Sequence, residues 1–153
     1  MQPNAPGAPS TTARPPTLRW VGGVDGQLEL LDQRLLPTQV VVLPIRTVEE
    51  VWQAIRTLAV RGAPAIGVTA AYGMVLAART VLPTSQAAAL IDLLQDRGAY
   101  LRSSRPTAVN LEWAVSQMIA VAIGERGIGV RQLLQRLLDE AHEICRQDAE
   151  KCL

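Results

Sequence analysis

The 153-residue chain has no phenylalanine, and its few tryptophans and tyrosines bring the aromatic fraction to only 3%. Proteins that bind single-stranded nucleic acid stack bases on aromatic side chains, so this composition argues against that class of partner. The net charge of +1 provides no overall field that would attract nucleic acid or an acidic membrane. The core must be built from aliphatic residues, which favours closely packed helices.

Long apolar segments are also missing. The longest uncharged run covers residues 62–78, is interrupted by glycines, and predicts a buried helix rather than a membrane span. Residues 1–17 contain five prolines among small polar residues and no apolar segment typical of an export signal. We predict a disordered, proline-rich leader over 1–17, a folded domain over 18–153, and no membrane partner.

Residues that bind metals or act as nucleophiles are scarce. On one predicted helix, Cys145 and Cys152 would lie about 10 Å apart, too far for a disulfide without unwinding. We therefore predict reduced packing cysteines and a cytoplasmic location. His142, the one histidine, has no partner at metal-ligand spacing, so no metal site is expected. The residues alone supply no nucleophile with a base and no acid/base pair.

The first part of the folded domain predicts strands. Alternation and β-branched residues indicate strands at Leu18–Val21, Leu28–Leu31 and Val40–Leu43, and turn residues, Gly22-Gly23 and Asp25-Gly26, separate the first two. These strands predict a small antiparallel sheet with one face covered.

Five helices are predicted after the sheet. Thr47 and Glu50 form a capping box at the start of the first helix. The third helix either continues through Gly98 or breaks there. The predicted starts of the later helices are near Pro64, Thr84 or Ser85, Pro106-Thr107, and Val130. The predicted fold class is α+β, with a small N-terminal antiparallel sheet followed by a bundle of about five helices.

The last predicted helix has no stop signal before Leu153, and the fourth and fifth helices would expose apolar faces if nothing followed them. We therefore expect the chain to be a fragment truncated at its C-terminal end. Fraying at a natural terminus is the alternative.

Two short segments combine an arginine with a proline that can open a helix: Arg61-Gly62-Ala63-Pro64 and Arg105-Pro106-Thr107. A helix start leaves backbone N–H groups unpaired and carries partial positive charge, and a guanidinium adds a planar fork of donors. Together the segments predict a phosphate site, in which Thr107 and Asn110 add side-chain donors.

Each segment also has a simpler interpretation. Arg61 could cap the end of the preceding helix, with Gly62 as its C-cap and Pro64 starting the next helix. Arg105 could be a solvent-exposed arginine before an ordinary proline-initiated helix. Spacing alone leaves both alternatives open.

Three segments in this order resemble the methylthioribose-1-phosphate isomerases: residues 30–37 (LLDQRLLP), 60–67 (VRGAPAIG) and 104–111 (SRPTAVNL). That family belongs to a wider group with ribose-1,5-bisphosphate isomerases and with regulatory subunits of a translation-initiation exchange factor. The resemblance implies a small sheet and helical N-terminal region, a C-terminal Rossmann-like domain that is absent here, and a homodimer.

The implied activity is conversion of S-methyl-5-thioribose 1-phosphate to S-methyl-5-thioribulose 1-phosphate in methionine salvage, without a metal or nicotinamide cofactor. The implied substrate-binding residues are Arg61, Gly62, Ala63 and Arg105. The family's catalytic cysteine and aspartate lie beyond this chain, and Cys145 and Cys152 do not match its cysteine motif. A ribose-1,5-bisphosphate isomerase and a non-catalytic regulatory module are the alternatives.

Overall fold

A computed structural model describes residues 15–148. The predicted leader lies outside the described residues except for residues 15–17, and so does Cys152. Three strands form an antiparallel sheet in the order β1-β2-β3: β1 (Leu18–Val21), β2 (Gln27–Leu31) and β3 (Val42–Ile45). The predicted sheet is confirmed, although β3 begins two residues later than expected.

One face of the sheet is covered by the helices. Leu18 on β1 pairs with Leu30 on β2, and Leu28 pairs with Ile45 on β3; all four side chains are buried. Because strand residues alternate between faces, these leucines and the isoleucine place one apolar surface on the core.

Five helices follow within the described residues, and with the sheet they confirm the predicted α+β class. A short 3-10 helix at Gln33–Leu35 precedes β3. The helices are α1 (Val48–Arg56), α2 (Ala63–Ala78), α3 (Ala87–Arg102), α4 (Val109–Gly124) and α5 (Val130–Gln147).

Helix α2 is the centre of the molecule. Every residue of α2 from Ala65 to Ala78 is buried, as expected for a helix that is apolar on all sides. It packs against the other four helices and β1. Only the first turn of α2, at Ala63 and Pro64, is exposed to solvent.

The glycines of the bundle allow close helix contacts. Helix α3 continues through Gly98, where an added Cβ would lie 2.8 Å from Val115 Cγ1 on α4. Packing against α4 therefore outweighs the weak helix propensity of glycine at this position.

The apolar face of α5 is buried, so the expectation that it would be exposed is wrong. The buried set is Val130, Leu133, Leu134, Leu137, Leu138, Ala141, Ile144 and Cys145. Helix α4 does expose apolar side chains at Val109 (77%) and Trp113 (50%). The sequence places Trp113 on an apolar stripe, which predicts a core position, and the structure corrects this prediction.

Cys145 corrects the prediction about the cysteines. Helix α5 ends at Gln147, and Asp148 leaves the helical conformation at φ −112° and ψ 61°. Cys145 is disulfide-bonded, so the prediction that it is reduced is wrong. Cys145 therefore lacks the reduced state from which a cytoplasmic location was predicted.

His142 lies on an exposed part of α5, and its Nδ1 is 2.8 Å from the Tyr72 hydroxyl oxygen. Burial raises the pKa of the Tyr72 phenol and lowers the pKa of the His142 imidazole.

Among residues 15–148, no helix combines the length and the apolar character needed to cross a bilayer.

Candidate functional site

The loop between α1 and α2 turns sharply at Leu58. Its backbone has φ of +67°, the left-handed region in which glycine is favoured. The N–H of Leu58 donates to Ile55 O (3.3 Å), and the N–H of Ala59 donates to Ala54 O (3.0 Å), which is the Schellman pattern. Helix α1 therefore ends before Arg61, and the alternative in which Arg61 and Gly62 cap α1 is wrong.

The segment at Asp32 and Gln33, between β2 and β3, is hydrogen-bonded to the loop between α1 and α2. The backbone N–H of Gln33 donates to Ala59 O at 2.8 Å. Asp32 is buried and accepts hydrogen bonds from Arg34 Nε (2.9 Å), Nη2 (2.8 Å) and backbone N (3.0 Å). The side-chain hydrogen bond from Arg34 lowers the pKa of Asp32 most, burial opposes it, and the charge of Arg61 lowers it further.

Gly62 begins α2 with a conformation that other residues rarely adopt. Its φ is +89°, and an added Cβ would meet no atom within 4 Å, so Gly62 faces open space. The start of α2 has no side-chain cap, and its second residue, Pro64, has no N–H. The N–H groups of the first turn have no intrahelical partner and remain available to a ligand.

Helix α4 begins at Val109 rather than at the predicted Pro106-Thr107. The N–H of Ala108 donates to Arg105 O at 3.0 Å, so Pro106 and Thr107 form a turn before the helix. Ala108 is extended and provides no side-chain cap. The helix start therefore lies a few residues later than predicted, and the N–H groups without an intrahelical partner belong to the residues after Ala108.

Both segments line one pocket of about 410 Å³. The structure thus brings together the four residues predicted to bind substrate: Arg61, Gly62, Ala63 and Arg105. The other lining residues are Leu58, Ile66, Thr107, Ala108, Val109 and Asn110. Two helix starts and two guanidinium groups therefore share one opening.

The charged side chains that line this pocket, Arg61 and Arg105, are both positive. Arg61 is exposed and Arg105 is half-buried, and neither side chain makes a hydrogen bond or ion pair with any residue between 15 and 148. The lining set contains no carboxylate, histidine or cysteine. An anion would therefore meet two uncommitted arginines and unpaired N–H groups, whereas the lining residues offer no group for proton transfer.

Sequence reasoning missed the apolar side of the pocket, which is formed by Leu58, Ile66 and Val109. No local signal marks a leucine for the left-handed conformation, because glycine is the usual residue there. The spacing of apolar residues in α4 favours burial of Val109, yet its side chain is exposed.

Residues 59–153 match the profile of the Initiation factor 2 subunit family. The chain belongs to this family. A 5-deoxyribose 1-phosphate isomerase of Bacillus thuringiensis (strain Al Hakam) is 49% identical over 82% of this chain and 36% of its own length. A methylthioribose-1-phosphate isomerase of Herpetosiphon aurantiacus is 48% identical over 80% of this chain and 34% of its own length.

Two solved structures share the fold. The 5-methylthioribose 1-phosphate isomerase from Pyrococcus horikoshii OT3 superimposes with a TM-score of 0.78 at 31% identity, over 87% of this chain and 36% of that one. The subunit delta of translation initiation factor eIF-2B from A. fulgidus gives 0.78 at 36% identity, over 88% and 37%. The family resemblance is confirmed, and the chain spans little more than a third of these relatives.

Proposed function

We propose that this chain supplies the phosphate-binding part of a sugar 1-phosphate isomerase, with Arg61, Gly62, Ala63 and Arg105 in contact with the phosphate. The observation that carries the proposal is the shared pocket, in which two uncommitted arginines meet two uncapped helix starts. A phosphate monoester carries about −1.5 to −2 charges at pH 7 and three acceptor oxygens, which match these donors.

The proposed substrate is S-methyl-5-thioribose 1-phosphate, and the product is S-methyl-5-thioribulose 1-phosphate. The names of the relatives support the coarser class, because a 5-deoxyribose and a methylthioribose, each bearing a 1-phosphate, are both isomerase substrates there. The apolar side chains of Leu58, Ile66 and Val109 beside the arginines suit a sugar phosphate with one nonpolar end.

The reaction moves a hydrogen from C2 to C1 of the sugar and consumes no co-reactant. A phosphate on the anomeric carbon hinders ring opening, so groups that transfer protons are indispensable. Because the lining residues include none, we propose that another part of the family's longer chain provides them. The 153-residue chain alone should bind phosphate without measurable turnover.

The test is a calorimetric or NMR titration of the chain with inorganic phosphate and with S-methyl-5-thioribose 1-phosphate. Arg61→Ala and Arg105→Ala should each weaken binding by about tenfold or more, because each removes charge-assisted hydrogen bonds. Arg126→Ala is the matched control, since Arg126 is exposed and follows the opposite end of α4. Sixteen helical residues place it about 24 Å from the pocket.

Equal binding by all three variants would overturn the proposal. Tighter binding of ribose 1,5-bisphosphate than of the methylthio sugar would instead change the substrate. A regulatory module is the second candidate, because the eIF-2B delta structure superimposes as well as the isomerase does. If the pocket binds neither phosphate nor sugar phosphate, that candidate is favoured.

A further inference from the structure

Gly67 on α2 lies directly against Asn110 in the first turn of α4. An added Cβ at Gly67 would be 3.1 Å from the carbonyl oxygen of Asn110, 3.2 Å from its Cβ and 3.4 Å from its carbonyl carbon. Most real Cβ contacts are longer than the first two distances. The missing side chain of Gly67 therefore lets the first turn of α4 lie directly against α2.

The obstacle at Gly67 differs from those at the other two interior helix glycines. An added Cβ at Gly73 would meet side-chain atoms, Val51 Cγ1 at 2.9 Å and Leu101 Cδ1 at 3.2 Å. At Gly98 the nearest atom is likewise a side-chain methyl. Side-chain ends can rotate away, whereas a helix backbone moves only with its helix. A side chain at position 67 would therefore have to displace the backbone of α4 near Asn110 by a few tenths of an ångström.

We propose that Gly67 is a positioning residue that holds the two helix starts at the separation a phosphate needs. This inference rests on the proposed function of the same pocket. Asn110 lines that pocket, and the unpaired N–H groups of the first turn of α4 move with its backbone. Hydrogen bonds to phosphate require donor–acceptor distances within a few tenths of an ångström, which is the displacement that one added methyl group would cause.

The test compares Gly67→Ala with Gly73→Ala, a matched change in the same helix away from the pocket. Without any ligand, Gly67→Ala should shift the amide resonances of residues 109–111, and Gly73→Ala should leave them unchanged. On titration with inorganic phosphate, Gly67→Ala should raise the dissociation constant by about tenfold, because small displacements of donors lower affinity steeply. Provided that Gly73→Ala is folded, its dissociation constant should equal that of the unsubstituted chain.

Thermal melts show whether each variant folds. If either glycine variant is unfolded at 25 °C, the titrations of all three proteins are run at lower temperature in trimethylamine N-oxide, which favours the folded state. Unchanged phosphate affinity in Gly67→Ala overturns the inference, whether or not the amides shift. A loss of affinity as large in Gly73→Ala as in Gly67→Ala also overturns it, since the effect would then reflect general destabilisation.

Failure of the proposed function has a different signature. If the unsubstituted chain binds no phosphate, both proposals fall. If the unsubstituted chain and Gly67→Ala bind phosphate equally well, while Arg61→Ala does not, the phosphate site stands and the positioning role of Gly67 is overturned.

Discussion

The two ends of α2 each adjoin an arginine, and the two arginines have opposite surroundings. Arg79 follows the last turn, and its guanidinium donates to the carbonyl oxygens of Val24 (3.0 Å), Gly26 (2.5 Å) and Arg46 (2.9 Å). Arg61 precedes the first turn and has no hydrogen-bonded partner in the described part of the chain. At the C-terminal end of α2 the arginine is hydrogen-bonded to the protein, whereas at the N-terminal end the arginine faces the pocket without a protein partner among the described residues.

The comparison separates a structural arginine from one that is free to bind a ligand. Arg79 joins the turn between β1 and β2 and the end of β3 to the C-terminal end of α2, where the helix dipole also favours a cation. Burial lowers the pKa of Arg79, which is the cost of placing its charge there. The guanidinium N–H groups of Arg61 donate to no acceptor among the described residues, so they can form hydrogen bonds with a bound anion.

Arg79→Ala should have the largest effect on stability. It leaves three carbonyl oxygens without their charged donor, so the free energy of unfolding should fall by about 3 kcal/mol. Urea denaturation followed by circular dichroism measures this change. Arg61→Ala is the control, and it should change the unfolding free energy by less than about 0.5 kcal/mol. Equal losses for both substitutions would remove the distinction between the two ends of α2.

Asp32→Asn should have an intermediate effect that depends on pH. The Arg34 hydrogen bonds lower the folded-state pKa of Asp32, so its stabilising contribution is complete above the unfolded pKa of about 3.9. It is lost as pH falls through the folded pKa. We expect the variant to be less stable by about 1 kcal/mol at pH 7, since Arg34 is partly exposed.

The stability difference between Asp32→Asn and the unsubstituted chain should begin to shrink below about pH 4, where the Asp32 carboxyl group of the unfolded chain becomes protonated. Urea denaturation at pH 7 and at pH 3 tests this. A difference that is constant over the two pH values would show that the charge of Asp32 does not stabilise the fold. Phosphate affinity at pH 7 should not decrease, because Arg61 keeps its free donors.

Leu58→Gly should have the smallest effect, with the opposite sign. Relief of the left-handed conformation of a leucine, about 1 kcal/mol, is opposed by the loss of a side chain that is 40% exposed, so the net increase in the unfolding free energy should be small. Differential scanning calorimetry measures the shift. A lower melting temperature would show that Leu58 stabilises the loop by packing.

Local sequence rules predicted the elements whose stabilising groups are close in sequence. The capping box at Thr47 and Glu50 is present in both of its hydrogen bonds. The run at residues 62–78 forms the buried helix that its composition predicted. The strands at Leu18 and Gln27 follow their alternation and turn residues, and their register completes one covered face.

Features decided by contacts between distant residues could not be predicted in this way. Nothing near Arg79 in sequence indicates that its partners lie at Val24, Gly26 and Arg46. The exposed side of Trp113 depends on where α4 crosses α2, which periodicity does not specify. The two arginine motifs were recognisable, yet only the fold shows that Arg61 and Arg105 line the same pocket.

The most direct measurement is a titration of the isotope-labelled chain with inorganic phosphate, followed by backbone amide NMR. We predict that the largest shifts occur at Gly62, Ala63 and residues 109–111, and that they saturate with one dissociation constant. Arg61→Ala should weaken all of them together. Shifts concentrated near Arg79, or shifts at α2 and α4 that saturate at different phosphate concentrations, would contradict a single anion site between the two helix starts.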